Sequence, residues 1–134
     1  MRRTIRALAV LALAAPAAAE VVPPAAFGVE VEGRTLHFTR DGMPFGAEQF
    51  LPGRRTLWRF ADGICAPGRW WEMDGDAICF EYDALEGPIC WRMRREGEAF
   101  SAHLLEGGVE TGFRLDLDRI ETAPLDCPGP DVGS

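Results

Sequence analysis

Ala77-Ile78-Cys79-Phe80-Glu81-Tyr82 and Ile89-Cys90-Trp91-Arg92-Met93-Arg94 alternate between two faces with a period of two, the pattern of strands with one side in a core. In the first, Ile78, Phe80 and Tyr82 share a face; in the second, Ile89, Trp91 and Met93 do. Cys79 and Cys90 fall on the opposite face of both. Pairing the runs as a hairpin with Cys79 opposite Cys90 sets Phe80 against Ile89 and Ile78 against Trp91. Every apolar residue then stays on one side, and a one-residue slip destroys the agreement.

The same reading extends in both directions. Thr35 to Thr39 places Leu36 and Phe38 on one face before the hairpin signal Asp41-Gly42, and Phe45 to Leu51 ends at Pro52-Gly53. Arg55 to Phe60 sets Thr56, Trp58 and Phe60 opposite Arg55, Leu57 and Arg59. A run from Ile64 is interrupted at Pro67-Gly68 and resumes over Arg69 to Met73, which predicts a bulged strand. Ala99 to Leu105 aligns Phe100, Ala102 and Leu104, and Thr111 to Asp118 aligns Phe113, Leu115 and Leu117. Eight short runs joined by short loops predict an all-β antiparallel meander, a small closed or curled up-and-down barrel of lipocalin-like shape. Closure removes exposed sheet edges. A β-sandwich is the alternative. Pro24 to Val31 has room for a short helix.

Met1 to Ala19 has three arginines, an apolar stretch from Ala7 to Ala15 and a small-residue end, the three-part pattern of a secretory signal cleaved before Glu20. The apolar stretch is about half the roughly 20 residues that span a bilayer. The expected layout is a signal over residues 1–19, an entry segment over 20–33, a barrel over 34–118 and a Pro/Gly-rich tail over 119–134 tied by Cys127. Periplasmic or secreted localisation follows, with no membrane anchor after cleavage. Of the 14 basic and 21 acidic residues, Arg2, Arg3 and Arg6 leave with the signal, so 11 face 21 and the net charge is −10. An acidic surface is a poor partner for a phosphate backbone, so nucleic acid is not expected.

In an oxidising compartment four cysteines in a short domain predict two disulfides, and three connectivities are open. The hairpin register favours Cys79 with Cys90 and therefore Cys65 with Cys127; Cys65 with Cys79 and Cys90 with Cys127 is the other arrangement considered. No C-x-x-C or haem-attachment run is present, and Asp74-Gly75-Asp76 reads as a tight turn, so no metal or cofactor is expected. A serine nucleophile would have to be Ser101 with His103. Side chains two apart on a strand stand about 7 Å from one another, beyond hydrogen-bond reach. No catalytic residue is assigned.

Two sets of residues carry the expected binding sites. Phe38, Trp58, Phe60, Phe80, Trp91 and Phe113 share the inward parity, and Trp70-Trp71 sits beside the expected bulge. Filling the core is their simplest role; the functional alternative uses Trp58, Trp91, Phe80, Trp70 and Trp71 around a small apolar or aromatic ligand. Arg55, Arg59, Arg92, Arg94 and Arg114 take the outer parity. They serve either in cross-strand pairs with Glu81, Asp116 and Asp118 or as an anion or partner-protein site.

Cys65-x-x-Gly68-Arg69-Trp70, the run Asp74 to Tyr82, Cys90-Trp91 and Cys127-Pro128-Gly129-Pro130-Asp131 are similar to those of a group of small exported α-proteobacterial proteins, a resemblance that implies export and no particular activity. In layout the chain loosely resembles the small disulfide-clipped periplasmic barrels that inhibit lysozymes, without a counterpart of their inhibitory loop. The reading is a non-enzymatic binding module for a small ligand, with an interaction or inhibitor module acting on an exported protein as the alternative. A hydrolase built on paired carboxylates comes third.

Overall fold

The computed structural model describes residues 1, 4, 5, 7–13 and 19–128; most of the expected signal's charged start, its residues 14–18 and the chain end from Gly129 lie outside the described residues. The elements in chain order are β1 (Glu20–Val21), α1 (Pro24–Val31), β2 (Thr35–Arg40), β3 (Met43–Leu51), β4 (Arg55–Phe60), β5 (Cys65–Met73), β6 (Ala77–Tyr82), β7 (Ile89–Glu96), β8 (Ala99–Glu106) and β9 (Val109–Glu121). From β2 to β9 each strand pairs antiparallel with the next, and β9 returns to pair with β2. The eight expected runs are therefore the eight staves of a closed barrel.

Turn chemistry sets the registers. Arg40 pairs with Met43, leaving Asp41-Gly42 as a two-residue turn in which both residues have positive φ, 50° and 78°. That geometry matches the twist of the strands it joins. Across β6 and β7, Cys79 sits opposite Cys90, Phe80 opposite Ile89 and Ile78 opposite Trp91, the register that the alternating faces require.

The expected bulge at Pro67-Gly68 is corrected. Strand β5 runs unbroken in register with β4 through Thr56–Gly68 and Leu57–Pro67, and with β6 from Gly68–Tyr82 to Met73–Ala77. Pro67 sits opposite the end of β6, where its carbonyl accepts from the Asp83 N–H at 3.0 Å just past that strand's last residue, and Gly68 is needed for space rather than for a kink: a Cβ there would stand 2.6 Å from Tyr82 Cδ1 and 2.7 Å from the Glu81 carbonyl oxygen. The register shifts lie instead on β2, at His37/Phe38 and Phe38/Thr39, and on β8 between His103 and Leu105. There they help a narrow sheet curl shut.

The segment before the barrel closes one end of it. Pro24 at the first turn suits a helix start, since its missing N–H would have no partner there. Helix α1 then lowers Phe27, 1% exposed, between Phe50, Trp70 and Phe100, with ring centroids 5.5, 5.7 and 6.0 Å away. Burying one such ring contributes about 1.5–3 kcal/mol. Strand β1 pairs with β7 at Glu20–Arg95 and Val21–Arg94, beyond the point where β6 stops at Ala77–Arg92.

Both disulfides take the register-favoured pairing. Cys79–Cys90 clips the β6–β7 hairpin on its outer face, and Cys65–Cys127 fastens the tail to β5. On its way the tail accepts a hydrogen bond at the Ala123 carbonyl from Thr35 Oγ1 (2.8 Å) and donates one from the Leu125 N–H to Gln49 Oε1 (3.0 Å). Thr35 and Ala47 are buried although both stand on the outer face. Disulfides fit an oxidising environment, and among the described residues no helix is long and apolar enough to cross a membrane.

Candidate functional site

The barrel is hollow. A cavity of about 250 Å³ lies between the helix and the opposite end, walled by inward residues of every barrel strand, β2 to β9, except β5. Strand β5 contributes only Ala66 and Gly68 at that level, and its next inward side chain, Trp70, packs lower down against Phe27 and Phe50.

The space exists because large rings lie along the wall. Glu48 and Trp58 are opposite one another on β3 and β4, and the Trp58 indole folds back over Gly46, where a Cβ would stand 2.1 Å from its Cζ2. The Tyr82 ring occupies the room left by Gly68 in the same way. Two glycines thus let two rings lie flat where side chains would otherwise push them toward the axis. Ala102 keeps the β8 wall thin. At the end away from α1, Phe45, Phe60, Ile89 and Phe113 are half-buried and Leu85, in the β6–β7 loop, is exposed, so the cavity meets solvent there. Arg40 covers one side of this mouth, its guanidinium carbon 3.5 Å from the Phe113 ring centre.

One hydrogen-bonded polar pair, Glu48 and Tyr82, interrupts the wall. Glu48 is 2% exposed; its Oε1 accepts a hydrogen bond from the Tyr82 hydroxyl at 2.8 Å, while Oε2 is buried with no hydrogen-bond partner. Burial pushes the Glu48 carboxyl up to about 8, against the opposing pull of the Tyr82 hydroxyl and of the nearby Thr56 hydroxyl. At neutral pH the group is a carboxylic acid. Burial and the neighbouring Glu48 hold the Tyr82 hydroxyl well above its usual range, so it stays protonated too. Thr56 Oγ1, on the same inner face, is buried and without a hydrogen-bond partner.

The structure divides the expected aromatic set. Trp58, Trp91 and Phe80 line the cavity, as do Phe38, Phe60 and Phe113. Trp70 belongs to the closed end, with the Arg54 guanidinium 3.9 Å over its ring, and Trp71 stands on the outer face opposite Cys79. Glu48 was not among the expected site residues. Phe45 to Leu51 mixes glycine, acid and amide on both parities, and only the pairing of Glu48 with Trp58 and Leu36 reveals which way the carboxyl points.

The arginines are distributed over two regions of the outer wall. Arg55 and Arg59 are on β4, whereas Arg92, Arg94 and Arg114 converge on β7 and β9 around His103. Arg94 grips Glu110 with two bonds of 2.7 and 3.0 Å, Arg114 binds Asp116, and Arg92 binds the carbonyls of Gly75 and Gly108. Arg69 pairs with Glu81, and Arg119 with Asp118.

Within this cluster one expectation is corrected. Ser101 Oγ and His103 Nε2 are 2.8 Å apart, in hydrogen-bond contact, and His103 Nδ1 is 3.8 Å from Glu110 Oε1. The imidazole is long enough to lean back along the strand, beside the register shift that follows His103. The order of groups is that of a Ser-His-acid relay, but Ser101 is 7% exposed on the outer wall, with the cavity on the other face of its strand, and Glu110 is held by Arg94. Among the described residues no group of three or more His, Cys, Asp or Glu is placed to hold a metal ion.

No family model, curated protein or solved structure matches the chain.

Proposed function

We propose that this protein is an exported, non-enzymatic binder that carries a small apolar or aromatic molecule inside its barrel, with Trp58, Trp91 and Phe80 among the contact residues. The single observation that supports it most is the 250 Å³ aromatic-walled cavity open at one end. Interiors are normally packed to crystal density, and an eight-stranded barrel is just wide enough for its own side chains to fill. Here Gly46 and Gly68 hold two large rings off the axis, which leaves hydrophobic surface facing empty space. An engineered cavity of about 150 Å³ accepts one benzene, and drug-sized pockets run from about 300 Å³ upward. The volume suits one ring with a short substituent. The three-part pattern of residues 1–19 and the two disulfides support the exported part of this reading.

Titration with ethylbenzene, followed by tryptophan fluorescence, tests this reading. Saturable binding that disappears in Ala102→Phe, a change that fills the cavity from the β8 wall, is the expected result. Binding that survives in Ala102→Phe, or no saturable binding by the wild type, rules the barrel interior out.

A further inference from the structure

The cavity wall is apolar except at the Glu48 carboxyl and the Tyr82 hydroxyl bound to it, and that carboxyl is half satisfied. Oε1 of Glu48 accepts from Tyr82; Oε2 is buried, makes no hydrogen bond and belongs to a residue lining the cavity. Buried polar atoms without partners are rare in native structures and call for an explanation. Among the described residues Glu48 and Tyr82 are the only titratable groups that line the cavity; the Arg40 guanidinium lies over the Phe113 ring at the mouth, and no cation along the wall is hydrogen-bonded to the carboxyl. The acid therefore keeps its proton at neutral pH. Since Oε1 is already an acceptor for Tyr82, the proton resides on Oε2, where the buried and otherwise unpartnered Thr56 Oγ1 is an acceptor within the protein and the oxygen of a bound ligand is the alternative.

We infer that the ligand is an uncharged molecule of about one aromatic ring bearing a single hydrogen-bond acceptor of the carbonyl kind, whose oxygen accepts the Glu48 Oε2 proton. This rests on the barrel being a ligand-binding site and adds the chemical class of the ligand. A ligand ammonium is the competing chemistry, because aromatic faces attract cations. It would require Glu48 to ionise, and desolvating two opposite charges costs more than the rings return unless further hydrogen bonds complete the pair. None of the lining groups besides Tyr82 supplies one.

Three probes of nearly the same shape separate the cases: acetophenone, ethylbenzene and 1-phenylethylamine, each titrated into the intact protein at pH 6.5 with calorimetric and tryptophan-fluorescence readouts. Acetophenone is expected to bind about tenfold more tightly than ethylbenzene, the worth of one buried neutral hydrogen bond. In Glu48→Met the two should bind equally; in Glu48→Gln, whose amide still donates, the preference should persist. Wild type at pH 9.5, where Glu48 is ionised and Tyr82 is not, should lose the preference without any substitution. Equal binding of acetophenone and ethylbenzene to wild type at pH 6.5 overturns the inference and leaves the apolar binding role standing. Tightest binding by 1-phenylethylamine with release of a proton overturns it in favour of a carboxylate site. Absence of binding by all three removes the binding role and this inference together.

Discussion

Tyr82 donates its hydroxyl proton to Glu48 across the barrel interior at 2.8 Å, joining β6 to β3, two strands separated in the sheet by β4 and β5. The bond bridges the hollow part of the molecule and acts beside the Phe50–Phe80 ring contact, which joins the same two strands with centroids 6.2 Å apart. It also leaves Oε2 as the carboxyl oxygen without a hydrogen-bond partner.

Glu48 makes stability depend on pH in a direction opposite to ordinary surface carboxylates. Its folded pKa is about 8 against 4.5 for the free group, so between these values the folded chain holds a proton that the unfolded chain has lost. Stability from this group is full below about pH 4.5 and falls by roughly 1.4 kcal/mol per pH unit up to about pH 8. Glu110 and Glu121, held below the usual range by Arg94 and Arg119, act only at more acidic pH, and burial of His103 lowers stability only below about 6.5. Urea unfolding of wild type and Glu48→Gln should show curves that diverge from pH 6.5 to 8, with the variant gaining relative stability as pH rises. Parallel curves would place Glu48 in water rather than in the wall.

Gly46→Ala should destabilise the fold by about 1–3 kcal/mol, since a methyl group 2.1 Å from the Trp58 ring forces the indole inward. In the background of Trp58→Leu the same change should cost much less. Denaturant midpoints for the two singles and the double give this coupling directly, and additive effects would mean that the indole does not lie over Gly46.

Much of the architecture is legible from alternation alone. The faces of β6 and β7 fix the register, the cysteines fall outside, and Asp41-Gly42 marks a hairpin because few other pairs accept positive φ at both positions. The cavity is not legible in that way. Inward parity says that Trp58, Phe80 and Trp91 face the axis, but whether they meet there depends on ring rotamers and on the two glycines behind them. The Glu48 carboxyl hides for a related reason: an acid in a mixed run reads as surface until its cross-strand neighbours are known. The Ser101–His103 contact was missed because spacing along an idealised strand ignores how far an imidazole reaches.

The two disulfides should differ in weight. Cys65–Cys127 closes a separation of 62 residues and Cys79–Cys90 one of 11, so the chain-entropy model gives about 4 kcal/mol for the first and nearer 3 for the second. Paired Cys→Ser variants compared by urea unfolding should follow that order. The first should also free the tail and expose Ala47 and Thr35, seen as faster amide exchange on β2 and β3.

Iodobenzene soaked into crystals of the protein tests the central claim most directly, because anomalous scattering locates the iodine without assumptions about the site. The account predicts a peak inside the barrel, within contact of Trp91 and Phe113, at the level of Glu48. Iodine found only on the outer wall, with the interior unoccupied at saturating probe, would contradict it.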